Sequence, residues 1–258
     1  MSDYRKLSRQ PLKVVIAEIR YSDIMNIYDY IPRFQDSIRN LFPIVREGSR
    51  QEVQAVGNEI KVIKKTTFSF LSSDKSSGVE IGDSRIVYFT KSYNRFNGFN
   101  TSLSEVLRLA EEYIKPALLY RIGLRYSNTI NVEKKQALND YFEKDFKLPL
   151  KVGKSGEVII HKTETQAQTD QGLLLIRRMA GKTSRSIFPD LETMPIEFEK
   201  TKNQLKVYLD IDHSYDATDE NIEFNNDFIL SKFEQLHETV RSSFWAMTTK
   251  LARDEKWS

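Results

Sequence analysis

The sequence predicts an α+β fold made of two halves, each an antiparallel sheet with helices packed against it. Three observations predict this class. Short segments rich in β-branched and aromatic residues recur along the whole chain, turn-forming residues separate many of them, and a few longer segments carry apolar residues at helical spacing. We place the halves at residues 1–131 and 132–258, with the boundary in the polar stretch that follows Asn131.

The first half begins with a strand and a helix. Residues 12–21 (LKVVIAEIRY) are rich in β-branched side chains, which predicts a strand buried on most of both faces. From Ile24 to Leu41 the apolar residues recur every three or four positions, which predicts a helix. Because proline fits best near a helix start, the well-formed part of this helix is expected to begin near Pro32.

The rest of the first half is predicted to be a meander, a helix and a strand. Three short β segments, 59–70, 79–81 and 85–93, are separated by turn-forming residues, which predicts the antiparallel meander. Ser102 and Glu105 have the spacing of a capping box, so the second helix is expected to start there. Residues 118–126 alternate in polarity and predict a further strand.

The second half is predicted to be a meander followed by one long C-terminal helix. Residues 148–152 and 157–163 indicate a hairpin, and 172–179 and 205–213 indicate two more strands. The apolar residues from 229 to 251 recur at helical spacing over the longest such stretch in the chain. Since many of them are Phe, Trp or Met, this final helix is expected to cover a sheet.

The composition excludes several classes of protein and site. The chain has 258 residues, a net charge of +3 and no cysteine, which rules out disulfide scaffolds, thiol nucleophiles, iron–sulfur clusters and cysteine-ligated zinc. Residues 1–10 have no apolar core of a secretory signal, and apolar runs of about four residues are far too short to span a bilayer. We therefore expect a cytoplasmic protein without a membrane partner.

Charges are segregated within the second half. The segment 171–188 contains four cations and no acid, whereas 208–227 contains seven acids and no lysine or arginine. Such separation suits charge-guided docking of a protein partner, and the alternative is two solvated regions that partly neutralise each other. The predicted partner-binding residues are Arg177, Arg178, Lys182, Arg185, Asp216, Asp219 and Glu220.

Four charged residues on predicted strands form a second group. Glu18, Arg20, Arg121 and Arg125 lie on two strands whose alternate positions are apolar. Ion pairing between neighbouring strands is the simpler interpretation, and a cationic strip facing a ligand is the alternative. These residues are therefore predicted to be buried or ligand-facing polar groups.

The sequence also contains candidates for a metal site and for a nucleic-acid site. Asp210 and Asp212 project to one face of a predicted strand, and His161 on a neighbouring strand is the one plausible further ligand, so a metal-dependent hydrolase is an alternative function. The cations of the basic segment and the aromatic loop 93–99 could bind phosphates and stacked bases. His237, at the border of an apolar stripe, is interpreted as a structural histidine.

Two sequence words carry a family resemblance. The opening word P-L-x-x-V-I-A-E-I-R-Y, at residues 11–21, and the late helix word L-H-x-x-x-x-x-x-F, at 236–244, resemble a sporadically distributed, uncharacterised bacterial family of about 250 residues. The resemblance implies no catalytic residues. It implies a bacterial protein with the patchy distribution that is common among defence and toxin–antitoxin genes.

The sequence favours a non-enzymatic binding or assembly protein. None of the words G-x-S-x-G, H-E-x-x-H or G-x-G-x-x-G occurs, and three histidines without cysteine leave few nucleophile–base combinations. We expect no cofactor and a protein partner, with self-association as one form of it, in a bacterial defence or toxin-neutralising module. Nucleic-acid association is the first alternative.

Overall fold

In the residues that the structure describes, ten strands form one large antiparallel sheet. The structure, a computed structural model, describes residues 4–56, 59–132, 138–143, 151–152 and 156–258. The strands are β1 (Leu12–Tyr21), β2 (Ile44–Val56), β3 (Glu59–Leu71), β4 (Ser77–Ile81), β5 (Arg85–Thr90), β6 (Leu118–Asn131), β7 (Lys151–Val152), β8 (Gly156–Glu157), β9 (Ile160–Thr169), β10 (Gly172–Thr183), β11 (Gln204–Asp216) and β12 (Ile222–Glu223).

Strand order across the sheet is β2-β3-β4-β5-β1-β6-β11-β10-β9, with β12 beside β6 and with β7 and β8 paired as a separate ribbon. The prediction of an α+β class is confirmed. Strand β6 pairs with β1 on one side and with β11 on the other, so the sheet runs through both predicted halves. The division at residue 131 stays a prediction, and residues 133–137 of the expected boundary lie outside the described residues.

In the described residues, four α-helices accompany the sheet: α1 (Ile27–Ile38), α2 (Phe96–Tyr113), α3 (Leu138–Tyr141) and α4 (Asn226–Met247). The long final helix was predicted, and Asn225 caps it by accepting a hydrogen bond from the Phe228 backbone N–H at 2.9 Å. Helices α1, α2 and α4 pack on one side of the sheet, which we call the helix face. Most of the apolar core lies between this face and the helices.

The opposite side of the sheet, here named the loop face, is covered in part by residues 184–203. This covering loop joins β10 to β11 and includes a 3-10 turn at Pro189–Leu191. Its buried Ile187, Leu191 and Ile196 form a second small core with strand residues such as Val14 and Phe89. The loop therefore lies over part of the face that carries the charged side chains.

Two predicted helix starts were wrong. Helix α1 begins at Ile27, five residues before Pro32, because Ile27 and Ile31 are buried in the core. Helix α2 begins at Phe96, so the predicted capping box is not a cap, and the Ser102 hydroxyl instead donates to the Gly98 carbonyl inside the helix. The buried Phe99 of the added first turn explains this extension.

Strand β2 was not predicted, and the expected hairpin is seen only in part. Much of β2 is polar, and in the described residues its pairing is with β3, so it lacks the apolar pattern of a central strand. Of the hairpin, Lys151 pairs with Glu157 and Val152 pairs with Gly156, while residues 148–150 and the turn at 153–155 lie outside the described residues.

Candidate functional site

Glu18 is the centre of one charged cluster on the loop face. One carboxylate oxygen accepts hydrogen bonds from Arg20 and Arg121, each at 2.8 Å, and the other lies 3.5 Å from Arg85. Burial acts to raise the pKa of Glu18, but the charges of Arg20, Arg121 and Arg85 outweigh it and lower this pKa. Glu18 therefore stays ionised, and the ion pairing considered from the sequence is present.

Asp210 is the centre of a second cluster. Its side chain is fully buried, and its two oxygens accept hydrogen bonds from Arg125 at 2.8 Å and from Arg177 at 2.6 Å. The covering loop contributes Asp190, which binds Arg125 at 2.8 Å and Arg177 at 3.3 Å. Two acids and two arginines thus tie β6, β10, β11 and the loop together. The loop also places Phe188 under the Arg177 guanidinium, 4.7 Å from the ring centre.

Asp212 differs from these acids because no hydrogen bond or ion pair to it is found within the described residues. It lines a cavity of about 350 Å³ beside Glu18, Arg121 and Arg125. Burial raises the pKa of Asp212 against the opposing charges of Arg121 and Arg125. Gly123, which also lines this cavity, leaves room for Arg121, whose Nη1 lies 2.7 Å from where a Cβ would stand.

Three of the four cations of the predicted basic segment contact other side chains of the protein. Arg177 belongs to the Asp210 cluster, Arg185 pairs with Glu192 at 2.9 Å, and the Arg178 Nε lies 3.3 Å from the Thr163 hydroxyl. Lys182 is exposed. Because Arg177 lies directly opposite Asp210 on the neighbouring strand, the basic and acidic segments neutralise each other at this point.

The predicted acidic residues lie at the other end of β11. Asp216 accepts hydrogen bonds from the backbone N–H and hydroxyl of Thr218, which lower its pKa, and Glu220 accepts one from the Tyr215 hydroxyl at 2.7 Å. Asp219 is exposed. These contacts stabilise the turn between β11 and β12, and the three side chains remain at the surface.

The three metal candidates do not converge. Asp210 and Asp212 lie on the loop face, whereas His161 on β9 is directly opposite Ala180, a helix-face residue of β10. Both oxygens of Asp210 already bind arginine. Within the described ranges, no group of three or more His, Cys, Asp or Glu side chains is placed to hold a metal ion.

Strand β9 forms one border of the sheet. In the part of the chain that the structure describes, it pairs with β10 alone, so its other edge carries backbone groups without a strand beside them. Most of its side chains are exposed. Its first residue, Ile160, is 56% exposed, and Ile159, just before the strand, is 80% exposed.

A second cavity, of about 480 Å³, lies on the helix-face side, and we name it the aromatic cavity. It is bordered by residues 4–12, the segment 93–97 before and at the start of α2, Tyr126 of β6, and α4 from His237 to Trp245. The His237 Nδ1 and the Tyr126 hydroxyl are 2.9 Å apart, and Phe96 stacks on the imidazole with ring centres 4.0 Å apart. Burial, assisted by the charge of Arg241, lowers the pKa of His237 to about 3.

Sequence reasoning missed the role of these residues because they come from four separate parts of the chain. The loop 93–99 was recognised as aromatic and cationic, but nothing in its spacing pairs it with His237 of α4.

No protein family matches the chain, and a search of curated proteins finds no match. No helix in the described ranges has both the length and the apolarity needed to cross a membrane.

Proposed function

We propose that this chain is a non-enzymatic binding and assembly protein that acts through protein–protein contacts, and that its partner at β9 is a second copy of itself. The observation that carries the proposal is the exposed border strand β9 with Ile159 and Ile160 at its start. An open strand edge offers backbone donors and acceptors for another strand, and burial of exposed apolar residues favours the pairing.

The charges of β9 match a second copy of the same strand. If two β9 strands pair antiparallel around a two-fold axis at Thr163, Lys162 of each copy lies opposite Glu164 of the other. Directly opposed, oppositely charged residues stabilise antiparallel strands, whereas like charges destabilise them. Lys162 and Glu164 therefore favour a second copy of β9 over a strand with a different charge pattern. In this register, Ile160 of one copy would lie opposite Gln166 of the other.

The state of the basic segment favours a protein partner over a polyanion. Arg177 and Arg185 are held in ion pairs with acids of the same chain, so phosphate groups would have to compete for them. Counterion release, which drives binding to nucleic acids, requires cations that are available to phosphates. The proposal includes a cytoplasmic location and a bacterial defence or toxin-neutralising context, for which co-purification with products of neighbouring genes is the test.

Charge exchange on β9 tests the self-association. We expect light scattering to give a dimer mass for the unmodified protein and a monomer mass for Lys162→Glu and for Glu164→Lys, since each variant places like charges opposite each other. An equimolar mixture of the two variants should recover the dimer, because one variant then carries acids at both positions and the other carries lysines at both. Lys250→Glu, an exposed change outside β9, is the control and should leave the mass unchanged.

A monomer mass for the unmodified protein at high concentration would overturn the self-pairing. A dimer mass for both Lys162→Glu and Glu164→Lys would also overturn it, because pairing around Thr163 would place like charges opposite each other in each variant.

A further inference from the structure

We propose that the aromatic cavity is a binding site for a small planar aromatic anion, a ring system that carries one carboxylate or phosphate group. This proposal is independent of the proposed self-association through β9. Three features of the cavity support it: its aromatic walls, the excess of cations at its rim, and a polar relay at its base.

Several aromatic rings line the walls of the cavity. A volume of about 480 Å³ is within the range of small-molecule sites. The rings that line it include Tyr4, Tyr93, Phe96, Tyr126, Phe244 and Trp245. Tyr4 and Trp245 have ring centres 5.3 Å apart, and Phe96 is already stacked on His237. A flat ring that enters such a cavity gains stacking contacts on rigid side chains that lose little conformational entropy.

Cations at the rim favour a negative charge on the ligand. Four cations and one carboxylate line the cavity, and that carboxylate, Glu238, pairs with Arg241. Arg5 pairs with Asp254, whereas Lys6 and Arg95 make no ion pair within the described residues. Arg95 also precedes the first turn of α2, where no side chain caps the backbone N–H groups. Uncapped N–H groups at a helix start add to the attraction for an anion.

A buried chain of hydrogen-bonded side chains, which we call the relay, offers a polar contact for the ring of the ligand. The Tyr126 hydroxyl lies between the His237 Nδ1 at 2.9 Å and the Tyr93 hydroxyl at 3.3 Å, and His237 is only 8% exposed. Within the described residues, the His237 Nε2 has no hydrogen-bond partner. Depending on which way the relay is ordered, Nε2 donates or accepts, so a ring nitrogen or an exocyclic oxygen of the ligand can pair with it.

Both a nucleotide and an aromatic carboxylate are planar aromatic anions, and the choice of probes distinguishes these two classes of ligand. We would titrate the chain with AMP and with indole-3-acetate, each beside its uncharged counterpart, adenosine and indole, and measure binding by isothermal titration calorimetry. We expect at least one of the two anions to bind, about tenfold more tightly than its uncharged counterpart. Binding by AMP alone identifies a nucleotide as the source, and binding by indole-3-acetate alone identifies an aromatic carboxylate.

Matched variants locate the binding. Arg95→Gln removes an exposed cation from the rim and should weaken anion binding about tenfold, while Arg108→Gln removes a cation of α2 outside the cavity and should not. Phe96→Tyr should preserve binding and Phe96→Ala should abolish it, with thermal unfolding used to confirm that both variants fold. No binding by either anion, equal affinity for the uncharged rings, or equal effects of the two arginine changes would overturn the proposal.

Discussion

Arg177 and Asp210 lie directly opposite each other on β10 and β11, and their side chains form an ion pair of 2.6 Å at a point where the carboxylate is fully buried. The same carboxylate binds Arg125 of β6 at 2.8 Å. A buried acid between two arginines is costly to remove, because the arginines then remain partly buried without their main counter-charge. Asp210 therefore holds the side chains of β6 and β10 against β11 on the loop face of the sheet.

Removal of this carboxylate should destabilise the protein. We expect Asp210→Ala to lower the free energy of unfolding by about 3 kcal/mol, or the midpoint of thermal unfolding by roughly 10 °C. Asp219→Ala, at an exposed acid, should change stability by less than about 0.5 kcal/mol. Denaturant unfolding of both variants measures the difference, and equal stabilities would show that the Asp210 cluster contributes no net stability.

The turn between β9 and β10 depends on a glycine. Gly172 has φ +132°, and a Cβ there would stand 2.0 Å from the Ser214 carbonyl oxygen of β11. Gly172→Ala should therefore cost at least about 2 kcal/mol, since a backbone group must move. Gly98, in α2, has no atom within 4 Å of such a Cβ, and Gly98→Ala should instead stabilise by about 0.5–1 kcal/mol. Thermal unfolding that ranks the two variants in the opposite order would contradict the account.

His237 should make the protein acid-sensitive. Its pKa is about 3 in the folded protein and 6.5 in the reference state, because burial disfavours the charged ring. The unfolded chain therefore binds a proton first, and stability is lost as the pH falls from about 6.5 towards 3, by on the order of 4 kcal/mol in total. His237→Gln cannot titrate and should lose less stability over this range. Urea unfolding measures the free energy of unfolding of both proteins against pH. If the profiles of the unmodified protein and His237→Gln are parallel, His237 is not held neutral in the folded state.

Asp212 should have the opposite pH dependence. Its pKa is raised above 3.8 by burial, so the folded protein holds the proton more tightly than the unfolded chain. Stability is therefore lost as the pH rises from 3.8 through the folded pKa. Asp212→Asn should unfold at a higher temperature than the unmodified protein at about pH 7, with a smaller difference near pH 3.

Asp216→Asn is the control of opposite sign. Hydrogen bonds from Thr218 lower the pKa of Asp216, so its stabilising contribution is present above pH 3.8 and lost as the pH falls. Asp216→Asn should thus lower the unfolding temperature at about pH 7. If Asp212→Asn and Asp216→Asn shift the unfolding temperature in the same direction at about pH 7, burial does not raise the pKa of Asp212 as described.

Elements with strong local patterns were predictable from the sequence, and most long-range relationships were not. The β-branched run of β1 and the long stripe of α4 correspond to the elements observed. The polar strand β2 escaped prediction because its pairing with β3, and not its own side chains, defines it. The start of α2 was missed because Phe99 is buried by tertiary packing, which overrides a local capping signal.

The same limit applies to the candidate sites. Glu18, Arg121 and Arg125 were recognised as polar residues on apolar strands, because period-two alternation can be seen in one segment. The covering loop that brings Asp190 to Arg125 cannot be recognised in this way, since the two residues are far apart in sequence. Segregated charge suggested a free docking surface, but strand register places Arg177 against Asp210.

Cysteine cross-linking at the proposed two-fold axis tests the central claim most directly. The chain contains no cysteine, so a single introduced thiol reports on one position. Thr163→Cys should form a disulfide-linked dimer under mild oxidation, because Thr163 of one copy lies opposite Thr163 of the other. Ala167→Cys, on the same face of the same strand, should not, since the two thiols would be about 26 Å apart. Efficient cross-linking at 167, or none at 163, would contradict self-assembly through β9.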